Sequence, residues 1–276
     1  VYDNLSSGRY EFIKQFEKST NFKFVKGDLL NLKGLETAMK RSEADTVIHL
    51  AANPDIRLGT KQTDLDLRQG TIATYNTLEA ARKCNVKSIL FSSSSVVYGR
   101  ARLKPTPEDY GPLTPISLYG ASKLAAEGLV TSFANLFGMD YYIYRFANVV
   151  GENGTHGVII DFINKLKRNN RELEVLGNGK QEKSYVDVKD CVAAMLFVYE
   201  RSKENENIYN ISADDRITVK EIAEMVINRI AKGARITYTG TKEGWPGDIT
   251  DTFLSNQKLK SLGFRTRKNS RQAVEN

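Results

Sequence analysis

The feature that most constrains the fold is a pair of nearly continuous apolar runs, at residues 45–52 (DTVIHLAA) and 88–92 (SILFS). Strands that are covered on both faces have such continuous apolar sequences, because neither face needs polar residues. Between the strand-like runs, apolar residues recur three and four positions apart, as in amphipathic helices. The strand-like segments are 22–28, 45–52, 88–95 and 141–148, and the helical ones are 71–85 and 120–138. This alternation predicts an α/β chain with a mostly parallel, doubly wound sheet and helices on both faces.

The pattern becomes less regular after about residue 150. A helical segment at 158–170 is followed by short strand-like runs, and Thr218 and Glu221 form a capping box that opens another helix. The short strands are expected at 174–177, 207–212 and 235–240. We therefore expect residues 1–150 to form one domain. Residues 151–276 should form mainly a smaller α/β lobe, with some segments returning to the first domain.

The composition excludes several classes of protein. No apolar run in the 276 residues approaches the roughly 20 that span a bilayer, and no secretory leader opens the sequence. These features predict a soluble, cytoplasmic protein without a membrane partner. Cys84 and Cys191 lie on apolar helical stretches and are expected to be buried, inert thiols, with no disulfide framework. No metal site is predicted, and His49, within a buried strand, is expected to be a core residue.

The net charge of +7 is concentrated at one end of the chain. From Asn256 onward, six basic residues face Glu275 alone, so five of the seven net positive charges lie in this tail. The basic residues are Lys258, Lys260, Arg265, Arg267, Lys268 and Arg271. A nucleic-acid platform would usually interleave aromatic residues on a basic face. We interpret the tail as a solvated basic end and predict no nucleic-acid partner.

The candidate chemistry begins with Tyr119 and Lys123 in SLYGASK. Residues four apart lie on one face of a helix, so an ammonium stands beside a phenol. A free phenol has a pKa near 10, and a neighbouring cation should lower that pKa. Such a pair can take a proton from a substrate hydroxyl or return one. The motif alone is weak, because most occurrences are ordinary helix turns.

A run of four serines precedes that helix, in FSSSSVVYG. The run falls where a parallel strand leaves the sheet, and ligands of doubly wound folds bind at the carboxyl ends of the strands. Hydroxyl groups there can hydrogen-bond a reacting oxygen. Turn formation explains some of the four serines but hardly all of them.

Seven segments in order, YDNLSSG, KGDLLN, HLAANPD, FSSSSVVYG, SLYGASK, YRFANVVG and GNGKQEKSYVDVKD, resemble one family along the whole chain. The family is that of the extended short-chain dehydrogenase/reductases, whose Rossmann-like fold binds NAD and nucleotide sugars. Within it the chain is most similar to UDP-glucose (galactose) 4-epimerases, particularly those of archaeal type. The resemblance implies NAD as cofactor, a UDP-sugar as substrate and a homodimer that pairs helices such as 71–85 and 120–138.

The resemblance also implies the cofactor-binding residues. Asp3 would hold the adenosine ribose, and a carboxylate there favours NAD over NADP because it repels a 2′-phosphate. The full set is Asp3, Asn4, Ser6, Ser7, Gly8, Asp28, Leu29, Leu50, Ala51, Ala52, Gln69, Ser92, Tyr119, Lys123 and Ala147.

By the same resemblance, Tyr119 is the acid/base, Lys123 its electrostatic partner and Ser94 the hydroxyl that assists proton transfer. The sugar would be oxidised to a 4-keto intermediate, turn over in the site and be reduced on its other face. The positive nicotinamide would depress the pKa of Tyr119 further. The implied substrate-binding residues are Ser94, Tyr119, Asn148, Val158, Ile159, Val175, Leu176, Lys183 and Asp248.

Several alternatives stay open. Related 4,6-dehydratases carry an Asp-Glu pair where this chain has Ser95 and Val96. An epimerase is therefore favoured, and a 4-keto reductase is the second alternative. Lys183 and Trp245 replace arginines that many epimerases use for the diphosphate, which leaves UDP-glucuronate or an N-acetylated UDP-hexosamine possible. A non-catalytic dinucleotide- or RNA-binding scaffold is a further alternative, but such a protein could dispense with Tyr119 and Lys123.

The glycine spacing at residues 151–157 (GENGTHG) is similar to that of a glycine-rich dinucleotide-binding motif. It follows a late strand, and no acidic strand end comes about 20 residues later, so we assign it to a loop over the substrate. The family's own glycine-rich turn would precede Val1, which opens as the second strand of the sheet. We therefore expect the first βα unit to be missing, and NAD binding and activity of these 276 residues to be doubtful.

Overall fold

The computed structural model describes all residues from Val1 to Asn276 as an α/β protein. Its strands are β1 Tyr2–Asp3, β2 Val25–Lys26, β3 Thr46–His49, β4 Ser88–Ser94, β5 Asp140–Phe146, β6 Asn148–Val150, β7 Glu172–Val175, β8 Glu182–Lys183, β9 Tyr185–Asp187, β10 Asn207–Ile211, β11 Ile217–Thr218, β12 Arg235–Tyr238 and β13 Asp251–Thr252. Its helices are α1 Leu32–Ser42, α2 Ala73–Lys83, α3 Leu118–Phe137, α4 Val158–Arg168, α5 Val188–Arg201, α6 Val219–Ile230, α7 Gln257–Leu262 and α8 Ser270–Glu275.

A parallel sheet of four strands, in the order β10-β5-β4-β3, forms the centre of the molecule. The register places Ser92 beside Tyr144, Ser94 beside Phe146, and Phe146 beside Ile211. Since all four strands run in one direction, their carboxyl ends share one edge of the sheet. The late strand β10 thus returns to a sheet that is otherwise built from the first half of the chain.

A separate parallel pair, β1 and β2, aligns Asp3 with Lys26. Its two strands are hydrogen-bonded to each other and not to the four-stranded sheet. The free edge of the larger sheet is β3, where Ile48 is 49% exposed and the following Leu50 is 58% exposed.

Helices cover both faces of the central sheet, which confirms the doubly wound architecture. On one face α1, α2 and α3 bury an apolar cluster that includes Leu78, Phe91 and Val130. On the other face α5 and α7 bury a second cluster around Tyr144 and Val198. A strand that is apolar on both sides matches the continuous runs in the sequence.

A third cluster lies outside the central sheet, where α4 and α6 pack on the β7–β12 pair around Phe162, Leu173 and Ile222. The predicted capping box opens α6. The Glu221 amide donates to Thr218 Oγ1 at 3.2 Å, and the Thr218 amide donates back to Glu221 Oε2 at 2.9 Å. Such a cap stabilises a helix by about 1 kcal/mol.

Several boundaries differ from the sequence prediction. The strand at 22–28 shrinks to Val25–Lys26, and the helix at 71–85 begins at Ala73 after a π-helical turn at Leu67–Ile72. The expectation for Cys84 also needs correction, since it is only half-buried, whereas Cys191 is buried. Burial raises the pKa of both thiols, that of Cys191 to about 12.

The basic tail is not a freely solvated end. Its cations meet acidic side chains from the rest of the second half, in the pairs Lys258–Glu204, Lys260–Asp214, Lys268–Asp187 and Arg271–Glu221. The prediction overlooked these pairs because it counted charges along the sequence rather than across the folded surface. In the whole chain, no helix combines the length and the apolarity needed to cross a membrane.

Candidate active site

Helix α3 presents the Tyr119–Lys123 pair at the carboxyl edge of the sheet. Ser117 caps the helix by accepting a hydrogen bond from the Gly120 amide at 3.0 Å, which places Tyr119 in the first turn. Tyr119 keeps some exposed surface, whereas Lys123 is only 3% exposed. Tyr119 is thus half-buried as a residue, whereas Lys123 beneath it is buried.

The Lys123 ammonium is held by the end of β4. Its Nζ donates to the Ser92 carbonyl oxygen at 2.7 Å and lies 4.9 Å from the centre of the Phe91 ring. The Tyr119 ring centre is 5.7 Å away. Burial lowers the pKa of Lys123 to about 8, although the carboxylates of Glu127 and Asp66 oppose that change. At neutral pH the side chain is still a cation.

The pKa of Tyr119 moves in the opposite direction from the sequence prediction. Burial, followed by the nearby charge of Asp66, raises the pKa of this phenol to about 12. The Lys123 ammonium gives its hydrogen bond to a strand carbonyl, and the loss of water around the phenol outweighs the attraction of the cation. Tyr119 is therefore protonated at neutral pH in this structure.

The serines at the end of β4 point in different directions. Ser92 Oγ donates to the His49 carbonyl at 3.1 Å, and Ser93 Oγ donates to Glu127 at 2.5 Å. Ser94 Oγ accepts a long bond of 3.4 Å from the Val96 amide, so its own O–H stays available as a donor. Of these three, Ser94 alone has a hydroxyl proton free to meet a ligand.

His49 is a satisfied core residue, as predicted. It is 4% exposed, and its Nε2 lies 2.9 Å from Thr74 Oγ1. Burial, aided by the charge of Lys123, lowers its pKa to about 3. The imidazole is neutral at physiological pH and adds no charge beside Lys123.

A second group of predicted residues comes together where β1 and β2 end. Asp3 Oδ1 accepts from the Leu5 amide at 2.6 Å, which leaves the other oxygen free. A Cβ on Gly8 would stand 3.1 Å from Asp3 Oδ1, so the Ser6–Gly8 turn closes over this carboxylate. A free carboxylate oxygen beneath a glycine turn fits the vicinal hydroxyls of a ribose. The residues present therefore fit the adenosine end of NAD.

The other members of this group are partly engaged. Asn4 Nδ2 donates to Asp28 Oδ2 at 3.0 Å, and the pKa of Asp28 is lowered by hydrogen bonds from Leu30 and Asn4. The Leu29 carbonyl accepts from Asn76, and its side chain packs against the first core cluster. Asp28 and Asn4 are exposed and Ser7 lies in the same turn, whereas Leu29 offers little free surface.

The remaining cofactor candidates follow the strands of the central sheet. After β3, Leu50 and Ala51 are exposed and Ala52 is half-buried. Ala147, after β5, is buried and its amide donates to the Ile211 carbonyl at 3.0 Å. Gln69 is half-buried in the π-helical turn that packs on α3. Because β3, β4 and β5 are parallel, Leu50, Ala51, Ala52 and Ala147 lie along the edge of the sheet that carries Ser94.

The predicted substrate residues form a third group. Lys183 Nζ lies 2.7 Å from Asp248 Oδ1 and 5.4 Å from the Trp245 ring centre. Asn148 Nδ2 donates to the Ser184 carbonyl at 3.1 Å, and Asn148 is half-buried. The Asp248 carboxylate therefore fixes the only cationic candidate of this group in place.

The apolar substrate-binding candidates differ in how far their side chains are buried. Val158 and Ile159 are half-buried at the start of α4, and Leu176 is half-buried with its carbonyl accepting from Gln181. The Val175 side chain is wholly buried in the third core cluster, so its role as a side-chain contact is unsupported. Only its backbone could meet a ligand.

A cleft of about 240 Å³ lies between the start of α3 and the Trp245–Gly247 loop, which neighbours the third group. One wall is Ser117 and Leu118, directly before Tyr119, and the other is the Trp245–Gly247 loop. A Cβ on Gly247 would stand 3.1 Å from the Ile116 carbonyl, which shows how closely this loop approaches the start of α3. The loop that contacts Lys183 through Trp245 therefore also meets the start of α3, directly before Tyr119.

Sequence reasoning missed two buried acids of this region. Glu127 pairs with Arg145, and Asp66 accepts from Asn53 Nδ2 at 3.0 Å while its Oδ2 has no partner. Burial raises the pKa of Asp66. Glu127 follows Lys123 by four residues, a charge spacing that could have been noticed, whereas no local signal marks Asp66.

A doubly wound sheet with a ribose-type carboxylate and a Tyr/Lys helix defines a dinucleotide-dependent enzyme of the short-chain dehydrogenase/reductase class. The chain belongs to the NAD dependent epimerase/dehydratase family, whose sequence profile matches residues 3–212. It is 30% identical, over 96% of its length and 84% of the relative's, to a Methanocaldococcus jannaschii protein provisionally named a UDP-glucose 4-epimerase.

Solved structures of the family superpose closely. A UDP-galactose 4-epimerase shares 38% identity and a TM-score of 0.87, covering all of this chain and 87% of the other. The Thermus thermophilus UDP-glucose 4-epimerase, in complex with NAD, shares 26% identity with a TM-score of 0.87, and 88% of it is covered. NAD is therefore the cofactor of the family to which this protein belongs.

Proposed function

We propose that the protein is an NAD-dependent 4-epimerase of UDP-sugars, acting on UDP-glucose and UDP-galactose. The observation that carries this proposal is the position of Tyr119 in the first turn of α3, with the free Ser94 hydroxyl at the same edge of the sheet and the buried Lys123 cation one helical turn further on. Ser95 and Val96, next to Ser94, supply no acid that could eliminate water, which favours epimerisation over dehydration.

In this mechanism Tyr119 takes the proton of the sugar 4-OH and later returns one, while Ser94 hydrogen-bonds the same oxygen. A bound NAD would supply the reversible hydride acceptor for this chemistry, and the positive charge of its oxidised ring would favour the Tyr119 phenolate. The Lys123 ammonium stabilises that phenolate from below, which helps a group whose pKa starts at about 12. The 4-keto sugar must turn over before reduction, so the cleft has to admit both faces of the ring.

The division of labour follows the sequence expectation. Residues 1–150 would bind NAD, with Asp3 on the adenosine ribose. Residues 151–276 would mainly bind the nucleotide sugar, although α5 and β10 pack with the first sheet. Lys183, fixed by Asp248, would meet the diphosphate as a single point charge. Asn148, Leu176 and the start of α4 would line the same site.

The protein would work as a homodimer. The outer faces of α2 and α3 carry an apolar surface made of Tyr75, Phe133, Leu136 and Phe137. Leu136 is 74% exposed, and Phe137 and Tyr75 are 47% and 44% exposed. An exposed apolar surface of this kind on two neighbouring helices fits a second copy of the same face.

The decisive test is interconversion of UDP-galactose and UDP-glucose by the purified protein with NAD. Tyr119→Phe should lower kcat by about 10² to 10⁴-fold, the usual contribution of a general acid/base. Tyr199→Phe is the matched control, because Tyr199 pairs with Thr46 at the opposite edge of the sheet. A Tyr119→Phe rate within a few-fold of wild type would show that the acid/base role is wrong.

The same assay distinguishes the alternatives. Turnover of UDP-glucuronate or a UDP-N-acetylhexosamine, without turnover of UDP-galactose, would replace the substrate but keep the mechanism. Net consumption of NADH with a 4-keto sugar would identify a reductase instead.

A further inference from the structure

Glu127 lies one helical turn after Lys123 and is among the most buried acids of the chain, 5% exposed. Its Oε1 accepts from Ser93 Oγ at 2.5 Å and from Arg145 Nε at 3.0 Å, and its Oε2 accepts from Arg145 Nη2 at 2.8 Å. Arg145 is 4% exposed. A carboxylate with three charge-assisted or hydroxyl bonds in a dry site is fixed in both place and charge.

The partners of Glu127 belong to the end of the sheet. Ser93 and Arg145 are directly opposite each other in the β4–β5 register, so both side chains point toward α3. Helix α3 therefore holds two consecutive residues of β4, the Ser92 carbonyl through Lys123 and the Ser93 hydroxyl through Glu127. The next residue along the strand is Ser94, whose hydroxyl proton has no partner within the chain.

The far side of Arg145 is also satisfied. Its Nη1 donates to Tyr98 OH and to the Glu108 carbonyl, each at 2.9 Å. Tyr98 in turn donates to Asn210 at 2.8 Å. The ion pair is thus the centre of a connected network that joins α3, β4, β5 and β10.

Stability alone does not account for this arrangement. Burying two charges costs desolvation energy, and apolar side chains of similar volume often stabilise a protein as well or better. What Glu127 supplies is a carboxylate one helical turn from Lys123, and what its pairing with Arg145 supplies is a fixed strand end. The other ionisable groups near Lys123 are Tyr119 on its own helix, Asp66 from the π-helical turn, and neutral His49 from β3.

We propose that Glu127 is a positioning residue for the proton transfer: it holds the Ser92–Ser94 end of β4 against α3 through Ser93 and Arg145, and it keeps Lys123 a cation beneath Tyr119. The inference rests on the proposed function for its kinetic consequence. It assigns no contact between Glu127 and the substrate.

The kinetic test compares Glu127→Gln with wild type over a range of pH. We expect kcat to fall by about 10- to 100-fold with KM for UDP-galactose changed less than 3-fold. The loss of activity at alkaline pH, where Lys123 deprotonates, should begin at least half a pH unit lower, because the opposing carboxylate is gone. An unchanged pH profile would overturn the charge role, whatever happens to kcat.

Three further variants separate position from charge and from stability. Ser93→Ala should lower kcat several-fold. It should leave the alkaline limb of the pH–activity profile in place, since the Glu127 carboxylate remains. Glu127→Asp keeps the charge but shortens its reach, so kcat should fall with the limb unmoved. Asp187→Asn removes another buried carboxylate, paired with Lys268 in the second half of the chain, and should leave the pH profile unchanged. Wild-type kcat in both Ser93→Ala and Glu127→Asp would overturn the positioning role.

A second measurement does not depend on activity. Lys123→Met removes the buried cation, and its effect on Tm at pH 7 can be measured both in the wild-type protein and in the Glu127→Gln variant. If Glu127 stabilises the ammonium, Lys123→Met should raise Tm by several degrees more in the Glu127→Gln background. Equal effects in the two backgrounds would overturn the charge role even if no UDP-sugar is turned over. Absence of turnover by wild type would instead count against the proposed function alone.

Discussion

At the scale of single residues, Lys123 combines a functional position with a cost to folding. The ammonium is 3% exposed, and its only hydrogen bond goes to the Ser92 carbonyl. Its pKa falls from 10.5 to about 8, a difference that corresponds to about 3 kcal/mol against the charged form. A side chain selected only for stability would be apolar here, so the buried cation indicates selection for chemistry.

We expect Lys123→Met to raise the free energy of unfolding at pH 7 by about 2 kcal/mol, after the lost hydrogen bond is subtracted. The sign follows from linkage. Below pH 8 both the folded and the unfolded wild type bind the proton, and the full cost is present. Between pH 8 and 10.5 only the unfolded wild type binds it, so wild-type stability rises and the gap closes. Denaturant unfolding at pH 7 and pH 10 measures the gap, and a gap that widens with pH would contradict the argument.

The sequence predicted the identity of these residues better than their energetics. Spacing in the sequence placed Tyr119 and Lys123 on one helix face, because four residues make about one turn. The pKa of Tyr119 was predicted in the wrong direction, because depth of burial depends on what packs around a helix. Glu127 and Arg145 are 18 residues apart and meet only because α3 packs on β5, which no local pattern encodes.

At the scale of elements, the π-helical turn Leu67–Ile72 is the local feature that the sequence did not predict. The turn runs into α2 and packs closely on α3. Gly70 makes this approach possible, since a Cβ there would lie 2.5 Å from Ser122 Oγ and 2.8 Å from its Cβ. The apolar spacing of 71–85 correctly predicted a helix, but periodicity does not report how close a neighbouring helix lies.

Gly70→Ala should therefore lower the free energy of unfolding by about 1–3 kcal/mol, the usual cost of overpacking a tight contact. Ser122→Ala in the same protein should recover part of the loss, because it removes the closer atom. Gly128→Ala on α3 is the matched control. A Cβ there meets nothing within 4 Å, so the change should raise stability by about 0.5–1 kcal/mol. Denaturant unfolding of the three variants and the wild type checks the signs, and a neutral Gly70→Ala would show that the contact is loose.

At the scale of the whole molecule, the distribution of charge and of exposed apolar side chains differs from what the sequence predicted. The basic tail packs on the second half, where Asp190 accepts from the Arg267 and Lys268 amides at 2.8 and 3.1 Å and Asp215 accepts from the Ser270 amide at 2.7 Å. Four of its six cations also form ion pairs within the chain, which weakens the case for an RNA-binding scaffold. The most exposed large apolar side chain, Leu136 at 74%, lies elsewhere, on α3.

The apolar surface of Tyr75, Phe133, Leu136 and Phe137 is already ordered within one chain. The Tyr75 and Phe133 rings meet edge to face at 6.0 Å, and the Phe133 and Phe137 rings lie 5.3 Å apart. A pre-ordered surface loses little side-chain entropy on association, which favours a stable dimer.

We expect wild type to sediment as a dimer at micromolar concentration and Leu136→Glu to shift it toward monomer, because the carboxylate would be desolvated at the interface. Val192→Glu, on α5, is the matched control, since Val192 is 48% exposed outside this surface. Analytical ultracentrifugation over a concentration series separates the cases. A monomeric wild type would remove the homodimer from the proposal, and a Leu136→Glu protein as dimeric as wild type would place the interface on another face.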